Sequence, residues 1–232
     1  RHFSLKAVAP ILISSVVAHT ISIEFYESDP LFQLNIGGIS NFYEIFPLAI
    51  LGLLSALIAS LYMRGLTGFL PIPKKIPLFF LPIIAGSICG IVGLFYPELL
   101  GLGTGTIRLL IEQPYSIAYI TTLLLGKLIL TVVCIRFSLF GGIFSPALFI
   151  GVMTGAIFSI ISSYFFPEIN YSLLTVAGMA AVTSCVIGGP ISTILIIFEL
   201  TSDYQVALGA GISVCFANLL SSRIYGHSAF DQ

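Results

Sequence analysis

Charge is the commodity this sequence most lacks. Of its 232 residues, 9 are Lys or Arg and 10 are Asp or Glu, 8% in all, against about a quarter in a soluble domain. That scarcity excludes a water-facing surface, because a soluble chain of this length needs a polar exterior. A net charge of -1 and a pI near 6.3 exclude the basic field that nucleic acid requires, and no run of like charges marks an acidic or polybasic tail. The four cysteines, Cys89, Cys134, Cys185 and Cys215, show neither CxxC spacing nor His neighbours, so they read as small buried hydrophobes. His2, His19 and His227 stand near chain or span ends, and neither HExxH nor GxSxG occurs. The inventory therefore argues against an intramembrane enzyme and calls for no cofactor.

What is present suits lipid: 57% of residues are hydrophobic and the mean hydropathy is +1.09. A spanning helix needs about 20 mostly apolar residues. By that measure there are seven apolar blocks, roughly 6–23, 45–63, 76–97, 118–135, 143–166, 173–200 and 206–222. None alternates with period two, which disfavours a β-barrel. The first block has no small-residue cleavage site and is not a signal peptide. The expectation is an all-α, multi-span helical bundle in a bilayer, a single membrane domain fragment over residues 1–232, multi-pass in a plasma or inner membrane.

The connections carry an orientation signal. Glu24, Glu27, Asp29 and Glu44 separate the first two blocks with no Lys or Arg among them, whereas Arg64, Lys74 and Lys75 follow the second with no acid. The positive-inside rule places 64–75 in the cytoplasm and 24–44 outside. Pro71 and Pro73 make the cytoplasmic connection a turn. The sixth block is too long for one span and is interrupted by Gly188-Gly189-Pro190, which a continuous helix tolerates badly. Two half-helices that dip in and return to one surface, flanked by Glu168 and Asp203, are the natural solution; a single kinked helix is the alternative. Gly86 with Gly90, and Gly151 with Gly155, recur at a spacing that lets helix backbones approach closely in lipid.

The most informative stretch is Phe140-Gly141-Gly142-Ile143-Phe144-Ser145-Pro146-Ala147-Leu148. A Gly-Gly turn precedes Ser-Pro, a favoured N-cap and first helical residue, so a helix is expected from about Ser145. Its free N–H groups need an acceptor. The aligned peptide dipoles make an anion suitable, and the partial charges of the Ile143 and Phe144 amides bind without trapping as a full cation would. A capped start facing water is the plain alternative.

The run Gly142-Ile143-Phe144-Ser145-Pro146 resembles the Gly-x-Phe-x-Pro signature of the CLC family of chloride channels and chloride–proton antiporters. Ala177-Gly178-Met179-Ala180-Ala181, Gly189-Pro190-Ile191-Ser192 and Phe198-Glu199-Leu200-Thr201 are similar to that family's re-entrant pair and its Glu-x-Thr end. Lys127 stands fourteen residues before Gly141, where the family often carries a basic residue, and Ile224-Tyr225 follows the last block as the family's pore tyrosine does.

The resemblance implies transport of chloride or a similar small anion. Gly142, Ile143 and Phe144 would form the amide end of the site, and the Tyr225 hydroxyl would donate from the opposite side. On the residues alone, Tyr225 also fits an interfacial belt. Lys127, mid-block, is a buried structural partner or a vestibule residue rather than a snorkelling one, Arg136 is placed at the cytoplasmic mouth, and Glu199 is either functional or a solvated helix end. The family's earlier Gly-Ser-Gly-x-Pro and Gly-Lys/Arg-Glu-Gly-Pro stretches do not occur here. The chain is thus expected to match the second half of a CLC membrane domain, its partners being the bilayer, the missing amino-terminal half and, as a homodimer, a second copy touching through the first block and the blocks near 190–220. It stops too soon for the family's CBS domains. A non-transporting helical scaffold is the competing reading, and an intramembrane enzyme a more distant one.

Overall fold

The computed structural model describes residues 5–25, 32, 41–69, 77, 79–139, 141–166 and 169–224. Among them every regular element is helical. In chain order these are α1 (Leu5–Phe25), α2 (Ile45–Arg64), α3 (Phe80–Phe95), α4 (Thr104–Glu112), α5 (Ile117–Arg136), α6 (Phe144–Ser162), α7 (Tyr171–Ile187), α8 (Pro190–Thr201) and α9 (Tyr204–Ile224). Five stretches are long and apolar enough to cross a bilayer: Val8–Phe25, Phe42–Gly68, Ile117–Arg136, Phe144–Ser162 and Tyr204–Ile224. The protein is an integral, multi-pass membrane protein, as its composition demanded.

The core is organised about α7, in which every residue from Leu173 to Val186 is buried. Helices α2, α6 and α9 surround it. A helix apolar on all sides belongs in such a position, since it has no polar stripe to offer water. Closest approach is to α6. A Cβ on Gly155 would lie 2.6 Å from the Leu174 carbonyl oxygen, and one on Gly151 would lie 2.6 Å from the Met179 Cα. The reciprocal position on α7 is Gly178, where a Cβ would meet Gly155 Cα at 2.6 Å. Small residues thus let two backbones touch, the contact that substitutes for hydrophobic association in lipid. The other small pair behaves differently: Gly86 and Gly90 on α3 are exposed, with nothing within 4 Å of a built Cβ.

The long sixth block is broken where expected. Gly188 ends α7 in the left-handed region (φ 72°), its N–H donating to the Ser184 carbonyl, and Pro190 opens α8 at its first turn. Glycine adopts that backbone without penalty and proline fits a helix start, so the Gly-Gly-Pro run separates two helices instead of kinking one. At 12 residues, α8 rises about 18 Å, short of a hydrocarbon core of about 30 Å. Asp203 then caps α9, its Oδ1 accepting from the N–H groups of Gln205 at 2.8 Å and Val206 at 3.2 Å. Glu168 lies outside the described residues, as do Glu27, Asp29, Lys74 and Lys75 of the charged connections.

Two features differ from the expectation. Helix α4 falls between apolar blocks: it is short and amphipathic, with Arg108 paired to Glu112 on its exposed side and Ile107, Leu110 and Ile111 buried. Helix α3 has 16 residues, fewer than the block that contains it.

Candidate anion site at the start of α6

Helix α6 begins at Phe144, with Ile143 as its N-cap. Ser145 is therefore not the cap. Its hydroxyl donates instead to the Leu102 carbonyl at 3.3 Å, which ties the first turn of α6 to the loop before α4. From the other side Tyr62 of α2, fully buried, directs its hydroxyl to the Ile143 carbonyl at 3.4 Å, a long and correspondingly weak bond. Gly141 and Gly142 are exposed just ahead of the helix, while Ile143 and Phe144 are half-buried.

This helix end borders a cavity of about 310 Å³ to which Gly141, Gly142, Pro146, Lys127, Cys89 and Cys134 contribute. No carboxylate is among the described residues lining it.

Lys127 lies in the middle of α5 and is 4% exposed. Its ammonium donates to the carbonyls of Leu99 at 2.9 Å and Gly101 at 2.8 Å, and stands 4.9 Å from the centroid of the Phe149 ring. A buried cation so supplied is held by dipoles and a ring face instead of by a carboxylate. The loop it grips needs glycine at Gly103, which has φ 71° and where a Cβ would lie 2.5 Å from the Phe149 ring. Lys127 thus pins the 99–103 loop, and Ser145 bonds the same loop from α6. Of the two readings open for Lys127, the structural partner describes its bonds and the vestibule residue describes its place on the cavity wall.

Arg136 closes α5 and donates to the Thr67 carbonyl at 3.3 Å, in the π-helical turn Gly65–Phe69 that extends α2. Glu199 is exposed on α8, well separated in the chain from the start of α6. Tyr225 lies outside the described residues. The structure therefore places Gly142 and Lys127 on the wall of one cavity, with Ile143 and Phe144 following Gly142 at the start of α6 but not among the cavity's lining residues.

One contributor carried no clear sequence signal, and another carried only part of one. Tyr62 lies 81 residues before Ile143, inside an apolar block where a tyrosine looks like filler. The 99–103 loop had a visible cue in the Gly101-Leu102-Gly103 run, a turn signal whose partner cation only the fold identifies. The cysteines also differ from their reading as buried filler: Cys215 is exposed, and Cys89 and Cys134 are half-buried with Sγ atoms 3.1 Å apart.

Comparison with known proteins agrees with this architecture. The family described as "Voltage gated chloride channel" matches residues 1–222. The H(+)/Cl(-) exchange transporter ClcA of Vibrio cholerae serotype O1 is 32% identical over 149 residues, which is 63% of this chain and 32% of that protein. The transporter of the same name from Salmonella agona is 29% identical over 143 residues, covering 61% of this chain and 30% of that protein. A crystal structure of a slow cyanobacterial Cl-/H+ antiporter superposes with a TM-score of 0.79 at 22% identity, over 87% of this chain and 48% of that one. The aligned stretch thus spans about a third of the length of these curated relatives and about half of the solved chain. With a family match over almost its entire length and the same fold as a solved antiporter, the chain belongs to the voltage-gated chloride channel family.

Proposed function

We propose that this chain serves transmembrane transport of chloride or a similar small anion, and that the anion is held by the backbone amides of Ile143 and Phe144 at the start of α6. The observation that carries this reading is the cavity at that helix end, whose described lining holds Lys127 and the Gly141–Gly142 backbone but no acid. A helix N-terminus presents unsatisfied N–H groups and about half a positive charge. In a wall that is otherwise mostly apolar apart from Lys127 and Thr131, those groups favour a partly dehydrated anion and release it more readily than a side-chain cation would. Tyr225, carried over from the family resemblance, would donate from across the anion. Lys127 would act indirectly, by fixing the loop that Ser145 bonds, and Arg136 would draw anions toward the end of α5.

The matched lengths support reading the chain as part of a membrane domain that the rest of the same protein completes, and the family resemblance of its motifs makes that part the second half. A homodimer is the proposed assembly. Its support is the set of exposed apolar side chains on α1, such as Ile11 and Ile13, together with Ile191 and Leu195 of α8 and Leu219 of α9.

The test is halide flux into liposomes. The chain alone should give no selective flux, and flux should return when the remainder of the protein is reconstituted with it. In the assembled protein, replacing Phe144 by its α-hydroxy analogue turns one amide into an ester and deletes a single N–H. Halide affinity should then fall about tenfold or more, the value of a hydrogen bond to a charged group. Unchanged affinity would remove the α6 amides from the site. Cysteines introduced on α1 and α8 should cross-link between copies, and their failure to do so in a transporting preparation would reject the dimer surface.

A further inference from the structure

Cys89 and Cys134 are 45 residues apart in the chain, on α3 and near the end of α5, yet their Sγ atoms stand 3.1 Å from one another. Both line the cavity at the start of α6 and neither is fully buried. The remaining cysteines lack such a partner: Cys185 is buried and Cys215 exposed elsewhere. No group of three or more His, Cys, Asp or Glu able to hold a metal occurs among the described residues. The chemistry open to two adjacent thiols is therefore that of the thiols themselves. A disulfide has an S–S bond of about 2.04 Å, so the sulfurs need to close by roughly one ångström, within the reach of side-chain rotation.

The surroundings give such a bond a mechanical meaning. Of the residues of α3 only Leu81 and Ala85 are buried, and the helix packs chiefly on α5 and the short Pro97–Leu99 turn. It is the least anchored of the helices bordering the cavity, and Cys89–Cys134 is its one side-chain bond to α5 among the described residues.

We propose that Cys89 and Cys134 form a redox-reactive dithiol that reacts with small disulfide compounds entering the cavity and closes to a disulfide stapling α3 to α5. The thiolate of one cysteine attacks a sulfur of the incoming disulfide, forming a mixed disulfide and releasing one thiol. The second cysteine then gives up its proton and attacks the protein sulfur of the mixed disulfide, releasing the second thiol. The two protons lost by the cysteines end on the two released thiols. The incoming disulfide gains the two electrons that the protein pair loses. This inference does not depend on the transport reading, because it concerns only the chemistry of the pair.

The experiment treats the whole protein in its membranes with oxidised glutathione and, in parallel, with the smaller disulfide cystamine at alkaline pH, where thiolate is more abundant. Acid quenching, maleimide alkylation and peptide mass mapping follow. The expected product joins the peptides containing Cys89 and Cys134 with the loss of two hydrogens, and dithiothreitol reverses it. C89S and C134S should each abolish that product and leave the surviving cysteine alkylated or as a mixed disulfide, whereas C215S should leave it unchanged. Recovery of both Cys89 and Cys134 as alkylated thiols after either reagent, in samples where exposed Cys215 has reacted, overturns the proposal. So does cross-linking of either residue to a different cysteine.

Discussion

The ring of Phe149 on α6 lies beneath the ammonium of Lys127 on α5, 4.9 Å from its centroid, and occupies the space that a side chain at Gly103 would need. One aromatic ring thereby couples a buried cation, a left-handed glycine and the helix whose first turn borders the cavity.

Removing that cation exposes the cost of the arrangement. Lys127→Met keeps the apolar stem but leaves the Leu99 and Gly101 carbonyls without their donor. Such a change should destabilise the protein by about 2 kcal/mol, read as a lower midpoint of thermal unfolding in detergent. Lys127→Arg should not restore the midpoint, because a planar fork does not fit a site shaped for a compact ammonium. A wild-type midpoint for Lys127→Met would mean that the 99–103 loop is held by something else.

The α6–α7 contact predicts a contrast between two glycine-to-alanine changes. Gly155→Ala brings a methyl against the Leu174 and Thr175 backbone, which cannot rotate away, and should cost about 1–3 kcal/mol. Gly86→Ala meets open space in this chain and should be neutral or stabilise by up to about 1 kcal/mol through helix propensity. Equal effects in thermal unfolding would contradict the packing described for α6 and α7.

Asn218 of α9 donates from Nδ2 to Ser184 Oγ of α7 at 2.6 Å and to the Val214 carbonyl at 2.8 Å. Asn218→Ala and Ser184→Ala should each destabilise by about 1 kcal/mol. The double variant should cost measurably less than their sum, since both single changes delete the same bond. Strict additivity in a double-mutant cycle would show that the two side chains do not act together.

At the break between α7 and α8, Gly188→Ala places a methyl-bearing residue at φ 72° and should cost about 1–2 kcal/mol. Gly188→Asn should recover part of that loss, as asparagine tolerates the left-handed region. Identical midpoints for the alanine and asparagine variants would show that backbone conformation is not what position 188 selects.

The parts legible in the sequence were those written in continuous composition. Long apolar runs declared α2, α5, α6 and α9, and Gly188-Gly189-Pro190 declared the α7–α8 break, because each signal is local and large. Helix α4 escaped because its charged pair, Arg108 and Glu112, makes a short amphipathic segment look like a connection. The start of α6 was placed within a residue, but its cap was misassigned: Ser145 has the right chemistry for an N-cap, while the fold gives its hydroxyl a partner at Leu102. The Cys89–Cys134 encounter, the Tyr62 bond to Ile143 and the carbonyl pair on Lys127 are tertiary coincidences. Nothing in spacing along the chain encodes them.

Where Gly151, Gly155 and Gly178 bring the backbones of α6 and α7 into contact, the two mesh like the teeth of a closed zip, and sliding one past the other would force carbonyl oxygens into Cα atoms. Helices α6 and α7 must then travel as a single rod through whatever cycle the protein performs. Displacement has to be taken up at its two hinges, the Gly141–Gly142 turn and the Gly188–Gly189 break.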